Sequence, residues 1–285
     1  MTVAVAAKYP WGALKELIPQ GIVIPEAIIL ISDSRFSRKI PTGYEKHSDS
    51  GTKLFQLGND VACVYAGDCD IGEKCVAELR FKLSRQRNPN STTSLRITQD
   101  TLNGVYSLEV AKRGLNPNES PLYLLIGVCN KQGMAELYRF SYSENFQPVS
   151  IEGYDILGWP ETAARFGDLL SSKLKEDVEN ELSLRKKHPQ IPIAQLCPMP
   201  IKDGNVALIM TAILSNVVEE GSDPTVGGKI QSAMVTMEGV SYQNASYSRN
   251  PINPNPEWTR ATPDYANLMT ITGISGTIGV YHSST

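Results

Sequence analysis

The order of predicted elements describes an α+β protein, a four-layer α/β/β/α sandwich of two antiparallel sheets flanked by helix pairs. Three observations predict it. Strand and helix candidates come in blocks, as strands, two helices, strands, two helices and strands, and stacked layers of this kind bury the apolar face of every element. Links of hairpin length join the strands within each block, which makes the sheets antiparallel. No βαβ alternation with a glycine-rich phosphate loop runs through the chain, which argues against a parallel, doubly wound sheet.

The chain opens on an alternating strand over residues 3–7. A second strand follows at Ala27-Ile28-Ile29-Leu30-Ile31 and stops at Asp33-Ser34-Arg35. Between them, residues 11–26 read as a loop insertion, with Gly12, Pro19, Gly21 and Pro25 as chain breakers. Strands at 53–57 and 60–66 flank Gly58-Asn59 as a hairpin that Gly67 closes. Ile71, Cys75, Val76, Leu79 and Leu83 recur at the helical period and place an amphipathic helix over 70–85. Leu102, Val105, Tyr106 and Val110 set the phase of a second helix over 99–112. The pattern repeats with strands at 122–129 and 135–140 around Asn130-Lys131-Gln132-Gly133, and a short strand at 150–157. Helices at 161–187 and 206–218 and final strands at 229–238 and 269–281 complete it. Residues 1–285 read as a single domain, and the Pro/Asn-rich stretch 250–256 as a stiff linker before a C-terminal extension.

Composition narrows the function classes. Hydrophobic residues make up 41% of the 285, enough for a sizeable core. The 27 basic and 30 acidic residues leave a net charge of −3, and no basic run is interleaved with aromatics. Such a surface does not suit nucleic acid. No apolar run reaches the roughly 18 residues of a membrane span, and the first residues lack the basic-then-apolar order of a signal peptide. The expectation is a soluble, cytoplasmic chain with no nucleic-acid or membrane partner. Five cysteines include no C-x-x-C pair, and His47, His188 and His282 are scattered. Neither a metal, a cofactor nor a disulfide framework is expected.

The chemistry centres on Thr2. Once Met1 is removed, Thr2 carries a nucleophilic hydroxyl and a free α-amine on one residue, so a single position supplies attacking group and general base. Taken alone, a threonine at the head of a strand is equally a good strand former. Four further residues follow it in order. Asp33 stands where the second strand closes, Lys53 where the third begins and Gly67 where the fourth ends. Asp223 heads the late segment Asp223-Pro224-Thr225-Val226-Gly227-Gly228. This ordered set resembles the proteasome β-type subunits, a superfamily of N-terminal-nucleophile (Ntn) hydrolases that includes bacterial proteasome-like and ancestral β-subunit-like proteins. The stretch from Lys53 to Gly67 is similar to the family's lysine-to-glycine hairpin without a gap, and the likeness spans most of residues 2–240.

The resemblance implies the Ntn-hydrolase fold and a threonine endopeptidase-like activity on a peptide or protein substrate, through an acyl-enzyme on Thr2. Thr2 Oγ would attack the scissile carbonyl, while the α-amine, with a reference pKa of about 8, takes and returns the proton. Lys53 would favour the neutral amine and stabilise the developing alkoxide, and Asp33 would hold the ammonium in place. Gly67 would offer its N–H to the oxyanion. Asp223 would support the threonine end, and Arg35 would anchor the structure near the pocket. The resemblance further implies a homo-oligomer, a ring or open spiral with the threonines inside. An ATPase partner is implied for some relatives only, and no residue of this chain argues for one.

Departures from the family pattern are specific. Asp155-Ile156-Leu157-Gly158-Trp159-Pro160-Glu161 stands where the family has a Ser-Gly-Ser type segment, so the relay serine is missing. Val226 stands where a supporting serine would be, unless Thr225 serves after a one-residue shift. The 11–26 loop is longer than the family norm, placed to cap the mouth of the site or line a subunit contact. These features leave two alternatives open beside the peptidase. One is a catalytically inactive structural subunit of a proteasome-like assembly; the other is an Ntn amidase or acylase acting on a small-molecule amide.

Overall fold

Burial on two faces of one strand decides the layering. Strand β2 (Ala27–Asp33) is buried at every position. Successive side chains leave a strand on opposite faces. Ile29 and Ile31 join a core cluster shared with helices, whereas Ile28 and Leu30 join a cluster shared with a second sheet. A strand buried on both faces lies between layers, which is why its apolar run is continuous.

The structure, a computed structural model, describes residues 3–18, 24–39, 45–49, 51–85, 91–158, 160–188, 203–220, 226–247, 267–272 and 277–282. Strand β2 pairs with β1 (Ala4–Tyr9) and β11 (Lys229–Thr236), and β10 (Tyr154–Leu157) and β12 (Gly239–Tyr247) complete a five-stranded antiparallel sheet. Its order is β10-β1-β2-β11-β12. A second antiparallel sheet runs in sequence order through β5 (Leu54–Gln56), β6 (Val61–Gly67), β7 (Leu122–Cys129), β8 (Ala135–Ser141) and β9 (Val149–Ser150). Helices α3 (Pro160–Lys187) and α4 (Asp203–Glu220) share a core with the first sheet. Helices α1 (Cys69–Ser84) and α2 (Ser91–Arg113) share one with the second. The third cluster lies between the sheets, where Ala4, Ala6 and Ala233 meet Ala62, Val64, Ala66 and Leu125. Two five-stranded antiparallel sheets, two separate two-stranded hairpins and four α-helices among the described residues make an α+β protein, in an arrangement compatible with the expected sandwich.

Several boundaries differ from the sequence reading. Helix α2 begins at Ser91, well before the expected residue 99, because Leu95 and Ile97 pack on the second sheet's core and override a weak Ser/Thr start. The single strand expected over 150–157 is instead the end of β9 and, after residues 151–153, the strand β10, each belonging to a different sheet. Three strands gave no apolar signal. The hairpin of β3 (Phe36–Lys39) with β4 (Glu45–Ser48) is charged along its length, and β12 is a sheet edge rich in polar residues. The final strand expected over 269–281 is a hairpin of β13 (Asn267–Thr272) and β14 (Thr277–His282). Within the 11–26 insertion, residues Gly12–Leu17 form a 3₁₀ turn whose Leu14 and Leu17, with Trp11, are buried in the first sheet's core. Apolar burial holds this turn against the sheet. The 250–256 linker lies outside the described residues. Among the described residues, no helix is long and apolar enough to cross a membrane.

Candidate active site

Stacking the sheets brings the end of β2 against the start of β5. The register of β1 with β2 sets Ala4 opposite Ser32, so Val3 and Asp33 continue the ladder beyond it. The Asp33 N–H donates to the Val3 carbonyl at 3.2 Å, and the Val3 N–H donates to Asp33 Oδ1 at 3.0 Å. On the other sheet, the Tyr65 N–H of β6 donates to the Lys53 carbonyl at 3.2 Å, which seats Lys53 just before β5. From there its side chain crosses to the first sheet.

Lys53 is fully buried, and its Nζ stands 3.0 Å from Asp33 Oδ1. It also donates to the Arg35 carbonyl, and the Phe36 ring centroid lies 5.3 Å from the same nitrogen. An ammonium out of water needs such partners, because desolvating it alone costs several kcal/mol. Asp33 is equally buried and accepts four hydrogen bonds. Oδ1 takes Val3 N–H and Lys53 Nζ, while Oδ2 takes the N–H of Gly227 at 3.1 Å and of Arg35 at 3.3 Å. Every acceptor position of the carboxylate is thereby used. Burial pulls the Lys53 ammonium below the usual lysine range, opposed by the Asp33 charge. The same burial pushes the Asp33 carboxyl up, opposed by Lys53 and by the N–H groups of Gly227 and Val3. Lys53 is thus a dry amine that gives up a proton more readily than a surface lysine.

The backbone of Arg35 belongs to this centre, and its side chain braces it from outside. Its Nε and one terminal nitrogen grip Asp49 at 2.6 and 3.0 Å, a bidentate pair, and the other terminal nitrogen donates to the Val226 carbonyl at 3.3 Å. The Gly227 carbonyl accepts the N–H groups of Ser34 and Arg35. A Cβ on Gly227 would stand 2.5 Å from the Arg35 guanidinium carbon, so a side chain there would push the arginine aside. Val226 itself is buried in the core of the first sheet, so this position contributes a backbone carbonyl and an apolar plug.

Gly67 ends β6 with φ +120°, and a Cβ on it would stand 1.9 Å from the Pro121 carbonyl oxygen. Only glycine fits. The ladder also orients its N–H. Tyr65 donates towards Lys53, and alternate N–H groups of a strand point to the same edge, so the Gly67 N–H faces the β5 side. A backbone donor, a buried amine and the start of β1 therefore converge on one end of the stacked sheets. Of the five residues singled out in the sequence, Asp33, Lys53 and Gly67 are placed at this end, whereas Thr2 and Asp223 lie outside the described residues, as do Trp159 and Thr225. Asp49, Phe36 and the Gly227 N–H were not picked out from the sequence, and only Gly227, within the late Asp-to-Gly-Gly segment, carried any signal there. Among the described residues, no group of three His, Cys, Asp or Glu side chains is placed to hold a metal ion.

Compared with known proteins, the chain matches no family model and no curated sequence.

Proposed function

We propose that the chain is a threonine-type Ntn hydrolase of the proteasome superfamily, cleaving peptide bonds through an acyl-enzyme on Thr2 after Met1 removal. The observation that carries this reading is the shared oxygen of Asp33. It holds Lys53 Nζ and the Val3 N–H at 3.0 Å each, and Val3 is the residue covalently joined to Thr2. A fully buried lysine is a costly feature for a merely structural strand end. Next to an N-terminal threonine it has a use. Its charge holds the α-amine in the neutral form, able to take the hydroxyl proton as Oγ attacks the carbonyl carbon. The Gly67 N–H stabilises the oxyanion that results. The ammonium then returns the proton to the leaving amine, the C–N bond breaks, and water, activated by the same amine, releases the acyl group from Oγ. Asp223 supports the threonine end in this reading. Self-association into a ring or open spiral is the proposed setting, with a peptide or protein segment as substrate.

Val226 favours a second reading. An apolar residue in the place of a supporting serine fits a catalytically inactive structural subunit that keeps the fold. Intact-mass analysis combined with a threonine-directed epoxyketone separates the two. A mass lacking Met1 and an adduct on Thr2, lost in Thr2→Ala, are expected of the hydrolase; retained Met1 with no adduct would leave only the structural subunit.

A further inference from the structure

We propose that the Ser32 hydroxyl positions the proton transfer between Thr2 Oγ and the α-amine by holding the water that links them. This rests on the reading of the site as a hydrolase and adds a residue outside the ordered set that the resemblance assigns.

One row of side chains runs across the first sheet beside the candidate site. The strand registers set Leu157, Ala4, Ser32 and Gln231 side by side on β10, β1, β2 and β11. Directly paired residues share a face, and Ala4 and Leu157 belong to the core between the sheets, so the whole row faces the second sheet. Leu30 and Ala233, two residues along from Ser32 and from Gln231, belong to the same core. Gln231 uses both ends of its amide. Its Oε1 accepts the Lys53 N–H at 3.3 Å, and its Nε2 donates to the Gly51 carbonyl at 3.4 Å. The row is thereby joined to the backbone that carries the buried amine.

Ser32 is the anomaly in this row. It is fully buried, and its hydroxyl meets no hydrogen-bonding group of the protein. Leaving a polar group unpaired in the interior costs stability. The layer around it is rich in alanine, with Ala4, Ala6, Ala62 and Ala233 among its members, so an alanine would suit the place and avoid that cost. A hydroxyl both donates and accepts, and a buried water takes up such unpaired groups. Ser32 adjoins Asp33, and Ala4, its register partner, stands two residues after Thr2. Diagonal neighbours on one face of paired strands lie about 7–8 Å apart, a span that one water bridges. In the proposal Thr2 continues β1 and is such a neighbour of Ser32. As Oγ attacks, its proton passes to the water and the water gives one of its own to the amine; the steps reverse towards the leaving amine, and Ser32 neither gains nor loses a proton. The segment from Asp155 to Glu161 offers no serine for this task, and its Leu157 fills the same row with an apolar side chain.

The test uses the full chain, blocked fluorogenic peptide amides with Leu, Lys or Glu before the cleaved bond, and the variants Ser32→Ala and Ser232→Ala. Ser232 is the matched control. Its hydroxyl is also buried and unpaired, but its register partner Ile31 belongs to the core shared with helices α3 and α4, on the opposite face of the sheet. Expected for Ser32→Ala is a kcat at least about tenfold lower, a KM within about twofold of the parent and no fall in melting temperature. In mixtures of H2O and D2O, kcat of the parent should follow a bowed curve, as two protons move together, and that of Ser32→Ala a straight line. Ser232→Ala is expected to match the parent in both measurements. An unchanged kcat in Ser32→Ala, or an equal loss in the two variants, would overturn the role of Ser32 while Thr2 still forms its epoxyketone adduct. No adduct and no hydrolysis in the parent would overturn the hydrolase reading, and this role with it.

Discussion

Lys53 Nζ stands 3.0 Å from Asp33 Oδ1, and neither side chain reaches solvent. The two residues come from different sheets, so their contact joins the layers as well as building the site. Removing one partner strands the other as a buried charge. Lys53→Met or Asp33→Asn is therefore expected to lower unfolding stability by about 3–5 kcal/mol, and the double variant to recover part of that loss. Urea denaturation of the four proteins measures the coupling. Additive losses would mean that the pair does not interact as the distance indicates.

Gly67→Ala tests a contact independent of any chemistry. The φ of +120° and the Pro121 carbonyl oxygen 1.9 Å from the added Cβ both oppose a side chain. Strain of this kind costs about 1–3 kcal/mol, with displacement of the Pro121 backbone adding to it. Chemical denaturation reads the loss, and a variant as stable as the parent would show that the end of β6 is not confined.

Arg35→Lys is not conservative here. The guanidinium spans both oxygens of Asp49 and also reaches the Val226 carbonyl, which an ammonium cannot do from one point. A loss of about 1–3 kcal/mol follows from buried acceptors left unpaired. The amide protons of Gly227 and its neighbours are expected to exchange faster in the variant, a local readout of the loosened brace.

Alkaline pH weakens the fold through two buried thiols. Burial pushes Cys63 and Cys75 each from 9.0 up to about 12. In the unfolded chain they lose their protons near pH 9, while the folded chain keeps them, so their contribution is complete below pH 9 and is lost between pH 9 and 12. Lys53, held below its usual range, acts in the opposite direction as the unfolded amine deprotonates. The comparison is therefore made between proteins: Cys63→Ala or Cys75→Ala should flatten the fall of stability over that window, measured by denaturation at successive pH values.

Hydrolysis, in the proposed mechanism, rises with pH through the range where an α-amine becomes neutral, about 8 for an unperturbed amine. The limb belongs to Thr2, and it should move to higher pH in a Lys53→Met protein that still folds, because the positive charge that favours the neutral amine is gone. A kcat/KM profile independent of pH between 6 and 9 would remove the amine from the mechanism.

Local signals in the chain were enough for the layers. The unbroken apolar run of β2, the Gly58-Asn59 hairpin and the apolar period of α1 each report burial that neighbouring residues alone dictate. Edge elements left no such trace. The polar β12 and the charged β3–β4 hairpin form because a partner strand satisfies their backbone, which no alternation of side chains announces. The site divides in the same way. Lys53 and Asp33 are legible as ordered positions, but on composition Lys53 is an exposed strand-end residue. Only the stacking of two sheets removes it from water and sets it on a carboxylate 20 positions away. Asp49, 14 residues from the Arg35 it grips, has no sequence signature at all, since ion pairing depends on where the backbone turns rather than on spacing. The sequence by itself determined which residues are apolar, which positions demand glycine and where a nucleophile could stand. The tertiary structure alone decided which charges were buried together, because burial and dielectric belong to the packed layers and not to the chain.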